Sequence, residues 1–201
     1  MDGVIASDEE TFAHMYQEVR RLRRLVDDLQ SLSKVEAGHI SLNVTTFDLI
    51  ALVKKVVEQL QPQATAQALQ MSTTCVSSAM IQADADRTAQ ILLNLIGNAI
   101  RYTAENGQIT VHCSLKHRNV EVSIEDTGIG IPPEALPYIF ERFYRVDPSR
   151  SRSSGGSGIG LTISRHLTWA MRGELTAHSN GLGHGTIFLL KLPLAEEFLA
   201  L

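Results

Sequence analysis

The sequence predicts an α+β fold: a two-layer α/β sandwich with a mixed, mainly antiparallel sheet, preceded by a long N-terminal helix. Three observations predict this fold. Apolar residues near the start of the chain recur at intervals of three and four, as they do on a helix. Farther along, short segments alternate apolar and polar residues, and connections of hairpin length join some of them. Strands that group apart from helices favour a mainly antiparallel sheet with helices on one face.

The N-terminal helix is predicted over residues 8–37, and Gly38 supplies its stop. Its apolar stripe lies close to a heptad seam and must be buried against something. The partner is either the rest of this chain or a second helix or subunit in a bundle, and the length of the seam favours the bundle. The stripe consists of Phe12, Met15, Val19, Leu22, Val26, Leu29, Leu32 and Val35.

The remaining elements are predicted from residue 39 onward, so the expected units are 1–38 and 39–201. Asp48 is a predicted helix cap, and Asp84 or Asp86 begins a second helix. The predicted order is a strand over 40–46, a helix from 48 to about 64, strands near 69–75 and 79–82, the second helix, a hairpin of strands over 109–115 and 120–124, a helix over 159–172, and strands near 174–179 and 185–192.

Composition excludes several classes of protein. The net charge of −4 gives no reason to expect a nucleic-acid partner. No window approaches the roughly twenty apolar residues of a membrane-spanning helix, and the N-terminus lacks the apolar region of a signal peptide. Cys75 and Cys113 lack metal-ligand spacing, so we expect two reduced thiols in a cytosolic protein. The chain could nevertheless be part of a longer membrane protein.

Four residues of the second helix are candidates for a metal and phosphate site. Asn94, Asn98, Arg101 and Tyr102 fall on one side of a helix because four residues make about one turn. An amide oxygen is a suitable ligand for magnesium, and an arginine can bind phosphate with its fork of donors. The alternative is a pair of surface asparagines, although asparagine is a poor helix former.

A carboxylate in a glycine turn is the second candidate. Asp126 ends a predicted strand and precedes Gly128 and Gly130. It could accept a hydrogen bond from a purine amino group, and the glycines would let a flat ligand approach the backbone. The alternative is an ordinary turn at the end of a strand, where Asp and Gly are common.

A second glycine cluster opens the last helix. Gly158, Gly160 and Leu161 belong to the run over 155–161, whose backbone N–H groups could face phosphate oxygens. The run lacks the Gly-Lys-Ser/Thr of a Walker loop. The alternative is a flexible hinge, which is compatible with a phosphate role.

A loop over about 127–157 is long enough to be a lid. Arg145 could reach a terminal phosphate when the lid closes, whereas Arg150 and Arg152 are expected to face solvent. Three aromatic residues are expected to dock the loop onto the core: Phe140, Phe143 and Tyr144.

Taken in order, these segments resemble the catalytic and ATP-binding domain of bacterial sensor histidine kinases, in the GHKL ATPase superfamily. The resemblance covers nearly the whole chain, and it implies a Bergerat-type ATP-binding fold for 39–201. Residues 1–38 look like part of the family's dimerisation and histidine-phosphotransfer domain. The matching motifs are an asparagine box at 94–103, glycine boxes at 126–131, 156–161 and 183–186, and a phenylalanine box at 140–145.

The resemblance implies a role for each matching residue and implies ATP and Mg²⁺ as cofactors. Asn98 should bind magnesium, Asn94 should support it, and Asp126 should hold the adenine amino group. Arg101 and Tyr102 should contact phosphate or ribose. The residues expected to shape the rest of the pocket are Gly128, Gly130, Gly158, Gly160, Leu161 and Thr186, with Thr186 near the adenine and Arg145 in the lid.

Position 94 separates two activities within the superfamily. In related ATPases such as gyrase and the heat-shock chaperones, a glutamate at this place activates water. Asn94 is an amide and cannot act as a general base. The resemblance therefore implies a site that holds ATP without hydrolysing it quickly, as in a kinase that waits for another acceptor.

The sequence departs from the family at the phosphoacceptor. No segment resembles the acceptor box His-Glu-Leu/Ile-Arg-Thr-Pro-Leu, and His14 lies on the helix that matches the second one of the dimerisation domain. We therefore expect a fragment that starts after the acceptor helix, or a truncated natural protein. In either case the chain should bind ATP without phosphorylating itself.

The resemblance also implies partners and a location. The expected partners are a histidine-bearing dimerisation domain, a response-regulator receiver domain and a second copy in the intact, homodimeric protein. The chain should lie in the cytoplasm, with the intact protein tethered to the inner face of the membrane. Two other functions remain open: a GHKL serine kinase of the anti-sigma type, and a nucleotide-gated dimerisation module without phosphotransfer.

Overall fold

The computed structural model describes residues 41–146 and 157–195, together with twelve helical positions between residues 11 and 33. Six members of the predicted stripe are among these helical positions, and each leaves between 48% and 61% of its surface exposed. The part of the chain that the structure describes therefore does not cover them. Leu32, Val35 and Gly38 lie outside the described residues, and the boundary at 38 stays a prediction.

The described elements follow the predicted order. The first strand begins at residue 44, four residues later than predicted, and the last helix ends two residues earlier. The elements are β1 (Val44–Asp48), α1 (Leu49–Ala66), β2 (Gln70–Cys75), β3 (Met80–Asp84), α2 (Ala85–Tyr102), β4 (Gln108–Lys116), β5 (Asn119–Asp126), a 3₁₀ turn (Leu136–Tyr138), α3 (Gly160–Ala170), β6 (Glu174–His178) and β7 (Thr186–Pro193).

The strands form two sheets. A two-stranded sheet pairs β1 with β3, and a five-stranded sheet has the order β2-β4-β5-β7-β6. Only the β2–β4 pair of the larger sheet is parallel, and its other neighbouring strands are antiparallel. This arrangement confirms the predicted α+β class and the mixed, mainly antiparallel sheet.

Alternation along the central strands decides which face of the sheet is buried. Val120, Val122 and Ile124 of β5 are fully buried and share a face with buried residues of β4 and β7, because directly paired residues point the same way. The three helices bury their apolar stripes in the same core cluster. On α2 the buried stripe comprises Thr88, Ile91, Leu92, Leu95, Ile96, Ala99 and Ile100.

Two aspartates fix where the first two helices begin. Asp48 Oδ1 accepts hydrogen bonds from the N–H groups of Ile50 at 2.9 Å and Ala79 at 3.0 Å. Burial raises the pKa of Asp48, but the hydrogen bonds that it accepts outweigh burial and bring the pKa below its ordinary value. Asp84 caps α2 by accepting from Arg87 N at 3.0 Å, which settles the choice between Asp84 and Asp86.

The expectation of two reduced thiols is wrong for this structure. Cys75 and Cys113 form a disulfide, and the part of the chain that the structure describes holds no free cysteine. Parallel pairing of β2 with β4 sets the two cysteines directly opposite each other, with their Cα atoms 4.2 Å apart. Their separation of 38 residues carries no sign of this contact, because strand register creates it.

Within residues 41–146 and 157–195 and the described N-terminal positions, no helix is both long and apolar enough to cross a lipid bilayer.

Candidate functional site

One cavity of about 940 Å³ brings the predicted site residues together. The cavity is lined by residues of α2, the turn after β5, the segment over 144–146, the start of α3 and the start of β7. Every predicted site residue except Gly128 lines it: Asn94, Asn98, Arg101, Tyr102, Asp126, Gly130, Arg145, Gly158, Gly160, Leu161 and Thr186. Segments distant in sequence therefore converge on one concave surface.

Helix α2 supplies one wall because its two faces differ. Leu95, Ile96 and Ala99 are buried in the core, whereas Asn94 and Asn98 are half-buried and border the cavity. The cap at the start of the helix and its apolar anchor fix the axis of α2. The two asparagines consequently present amide groups one turn apart to the same space.

The Asn94 side chain is held by a residue of helix α3. Its Nδ2 donates a hydrogen bond to Ser164 Oγ of α3 at 2.9 Å. A Cβ atom added to Gly160 would lie 2.5 Å from Asn94 Oδ1, so a side chain there would displace this amide from its present position.

Asp126 is the last residue of β5 and lines the same cavity. It is 6% exposed, and its Oδ1 accepts a hydrogen bond from Gly128 N at 2.8 Å. Burial raises the pKa of Asp126 above its ordinary value, and the charge of Glu125 adds to this effect. Backbone hydrogen bonds from Gly128 and Thr186 oppose the rise without cancelling it. A buried carboxylate of this kind is suited to accept a hydrogen bond from a ligand.

Glycine turns surround Asp126 at close range. Gly128 does not line the cavity, but its N–H holds Asp126 and a Cβ there would collide with Tyr102 O. Gly130 has a φ of +71° and packs against Gly181 O with no room for a side chain. Gly128 is therefore restricted to glycine by contact, and Gly130 both by contact and by its backbone conformation.

Two of the three predicted aromatic residues anchor the segment over 140–146, and the third does not. Phe140 is buried and Tyr144 packs against the core, as expected. Phe143 is 59% exposed with a φ of +59°, so the expectation that it docks the loop is wrong. Its backbone contributes instead, because Phe143 N donates to Gly158 O at 3.0 Å. Residues 147–156, with Arg150 and Arg152, lie outside the described residues.

Sequence reasoning missed two buried serines that organise the cavity. Ser164 holds Asn94, and Ser179 joins two glycine turns. Ser179 Oγ accepts from Ile131 N at 2.9 Å and donates to Gly185 O at 2.6 Å. Ser164 follows Gly160 by one turn of the same helix, which was the one available signal. Ser179 gave none, because only the folded sheet brings residues 131 and 185 together.

The residues fit a magnesium-bound nucleotide in size and chemistry. Among the described residues, no group of three or more His, Cys, Asp or Glu side chains could hold a metal ion alone. Asn98 instead offers an amide oxygen in the same cavity as the glycines at the start of α3, which suits magnesium bound jointly by protein and phosphates.

Comparison with known proteins identifies the family. The family model described as "Histidine kinase-, DNA gyrase B-, and HSP90-like ATPase" matches residues 83–196, which include the asparagine helix and most of the cavity. The chain belongs to this ATPase family. Because relatives of this chain are sensor histidine kinases, the matched domain corresponds to their catalytic ATP-binding domain.

One curated relative is a bacterial sensor protein. The ATPase domain and its N-terminal extension are 35% identical to the sensor protein SrrB of Staphylococcus aureus over 199 residues, which is 98% of this chain and 34% of SrrB. The chain thus spans about a third of the length of that curated relative.

Two solved structures extend the comparison. Acinetobacter baumannii histidine kinase AdeS superimposes with a TM-score of 0.80 at 30% identity, covering 97% of this chain and 89% of AdeS. Full-length ShkA, solved in complex with AMPPNP, gives a TM-score of 0.79 at 29% identity, covering 96% of this chain and 40% of ShkA.

Proposed function

We propose that this chain is the ATP-binding catalytic domain of a two-component sensor histidine kinase. In the intact protein it would pass the γ-phosphoryl group of ATP to a histidine, from which a response-regulator aspartate takes it. One observation carries the proposal: Asn98 of α2 and Asp126 of β5 line the same cavity. The family match and the sensor histidine kinases among its relatives support it.

Each wall of the cavity has a proposed part in binding Mg·ATP. Asp126 would accept a hydrogen bond from the adenine amino group. Thr186 would lie beside Asp126, because the two residues are paired across β5 and β7. Asn98 would bind magnesium through its amide oxygen, and the ion would neutralise phosphate charge. Arg101 and Arg145 would add positive charge near the phosphates.

The amide at position 94 favours transfer to a histidine over hydrolysis. Asn94 cannot remove a proton from water, so water is not activated at this place. In the transfer step, an imidazole nitrogen attacks the γ-phosphorus as the bond to the ADP oxygen breaks, and the imidazole gives up its proton. The chain contributes position and charge stabilisation to this step.

The acceptor would lie on a separate dimerisation domain, to which residues 1–38 would belong. The exposed stripe from Phe12 to Leu29 suits a helical bundle, and in the intact protein this bundle would include a second copy. On this proposal the isolated chain binds ATP without phosphorylating itself. The intact protein would be tethered to the inner face of the membrane, which membrane fractionation tests.

Calorimetric titration of ATP with and without magnesium tests the binding site. Asn98→Ala should abolish magnesium-dependent binding, because it removes the amide oxygen, while the fold is retained. Asn119→Ala, an exposed asparagine at the start of β5, is the matched control and should bind like the wild type. If the wild-type chain does not bind Mg·ATP, the proposed nucleotide site is wrong.

Phosphotransfer needs a second assay. The chain is mixed with a histidine-bearing dimerisation domain and labelled ATP, and acid-labile phosphate is measured on that domain. A receiver domain added next should take the label onto an aspartate. Acid-stable phosphoserine on a partner would instead favour the anti-sigma type of serine kinase. ATP binding that changes only the oligomeric state would favour the dimerisation module.

A further inference from the structure

We propose that Ser164 is a positioning residue for the nucleotide site: its hydroxyl holds the Asn94 amide so that the amide oxygen stays at the cavity wall beside Gly160. The inference rests on the proposed function and adds to it a residue of α3 that borders the cavity and is only 2% exposed, and that acts through Asn94. Asn94 Nδ2 donates to Ser164 Oγ at 2.9 Å across 70 residues of sequence.

Burial makes this hydrogen bond selective for one position of the amide. Ser164 is 2% exposed, whereas Asn94 is half-buried and borders the cavity. The buried Ser164 hydroxyl would carry a desolvation cost without a partner, so its hydrogen bond favours the position in which Asn94 Nδ2 faces α3. Asn94 Oδ1 then packs against Gly160, which has no side chain to displace it.

The position of Ser164 on α3 is itself fixed by neighbouring contacts. Thr168 Oγ1 donates to the Ser164 carbonyl at 2.8 Å, and Thr162, two residues before Ser164, donates through its Oγ1 to Phe140 O at 2.9 Å. Both threonines are buried. The Ser164 hydroxyl is therefore held at one point of the cavity wall, as a positioning group requires.

A purely structural serine and a positioning serine predict different results. If Ser164 serves only packing, its loss lowers stability and leaves the magnesium dependence of ATP binding unchanged. If it positions Asn94, its loss weakens the contribution of Asn94 to magnesium-dependent binding. One buried hydrogen bond corresponds to about a fivefold change in an equilibrium constant.

The experiment measures the magnesium concentration that half-saturates ATP binding, at fixed ATP, for the full chain and its variants. Ser164→Ala should raise this concentration about fivefold while binding of ATP without magnesium stays at the wild-type level. Ser164→Cys should fall between the two, because a thiol sulfur is a weak acceptor. Thr88→Val is the matched control: it removes a buried hydroxyl that bonds to Asp84 O at 2.8 Å at the start of α2, and it should leave the magnesium dependence unchanged.

A double-mutant cycle shows whether the effect passes through Asn94. In the Asn94→Ala background, Ser164→Ala should add no further change, because the amide that it positions is gone. Wild-type magnesium dependence in Ser164→Ala, an equal rise in Thr88→Val, or an independent effect in the Asn94→Ala background would each overturn the inference. Failure of the wild type to bind Mg·ATP would overturn the proposed function together with this inference, and that result differs from all three.

Discussion

Alanine at Gly185, compared with alanine at Gly183, tests how the glycine turn before β7 supports the cavity. Both glycines have left-handed backbones, with φ of +67° at Gly185 and +78° at Gly183. Their surroundings differ: a Cβ at Gly183 meets nothing within 4 Å, whereas one at Gly185 would collide with Asp126 O and lie 3.1 Å from Thr127 Cα. The pair therefore separates the dihedral cost from the cost of the collision.

The structure supplies the magnitudes. A left-handed alanine costs about 1 kcal/mol, and this cost applies to both variants. At Gly185 the collision also displaces a turn held by two hydrogen bonds, from Gly185 N to Gly128 O at 3.2 Å and from Ser179 Oγ to Gly185 O at 2.6 Å. At about 1 kcal/mol for each bond, we expect a loss of about 3 kcal/mol in the free energy of unfolding for Gly185→Ala and about 1 kcal/mol for Gly183→Ala.

Urea denaturation followed by circular dichroism measures both losses, and ATP titration measures the effect on binding. Gly185→Ala should also weaken ATP binding by about tenfold, because it moves the carbonyl of the residue proposed to bind adenine. Gly183→Ala should bind nearly as the wild type does. Equal losses of stability in the two variants would refute the argument, since the collision would then contribute nothing.

Three further predictions concern the carboxylates and the start of α3. Asp126→Asn should stabilise the ligand-free chain at neutral pH, because burial raises the pKa of Asp126 in the folded state. This gain in stability should vanish as pH falls below the ordinary carboxyl pKa. The ATP affinity of the wild type should weaken as pH falls through the raised pKa of Asp126. Asp48→Ala should lower the free energy of unfolding by about 1–2 kcal/mol at neutral pH, since it removes a cap and a bond to Ala79. Because the folded-state pKa of Asp48 is lowered, that stability is present above the unfolded-state pKa and lost as pH falls through the folded one. Gly160→Ala should weaken Mg·ATP binding by displacing Asn94, with a small change in stability.

Chemical denaturation across pH and isothermal titration check these three predictions. For Asp126→Asn, a stability difference that persists at low pH would contradict the burial argument. For Asp48→Ala, an undiminished difference in strong acid would do the same. For Gly160→Ala, wild-type affinity would show that the Asn94 amide can move without consequence.

Local signals predicted most of the fold. Asp48 and Asp84 cap their helices as expected, because a cap depends on the side chain and the next few backbone N–H groups. The strands of the β4–β5 hairpin follow from alternation, because one face of the sheet is buried. The candidate site residues were found because glycines and amides stand out in helix and strand patterns.

Contacts made by tertiary structure could not be read from the sequence. The Cys75–Cys113 disulfide depends on the register of a parallel pair, which no local pattern specifies. Ser164 and Ser179 look like ordinary helix and loop residues until folding brings their partners within hydrogen-bond distance. Aromatic character predicts that Phe143 docks the loop onto the core, but Phe143 has a left-handed backbone and its side chain is exposed.

Helix α3 links the segment that contains Phe140 to helix α2. Near its start, α3 bonds to the Phe140 carbonyl through Thr162 and to Asn94 through Ser164. The Arg165 guanidinium lies 4.8 Å from the centre of the Phe140 ring, so the same turn also holds that ring. Because packed interiors transmit displacement, a shift of α3 at its glycine-rich start is expected to move both Phe140 and the amide of Asn94. On the proposed function, phosphate binding at that start would thus act on Asn94 and on Phe140 together.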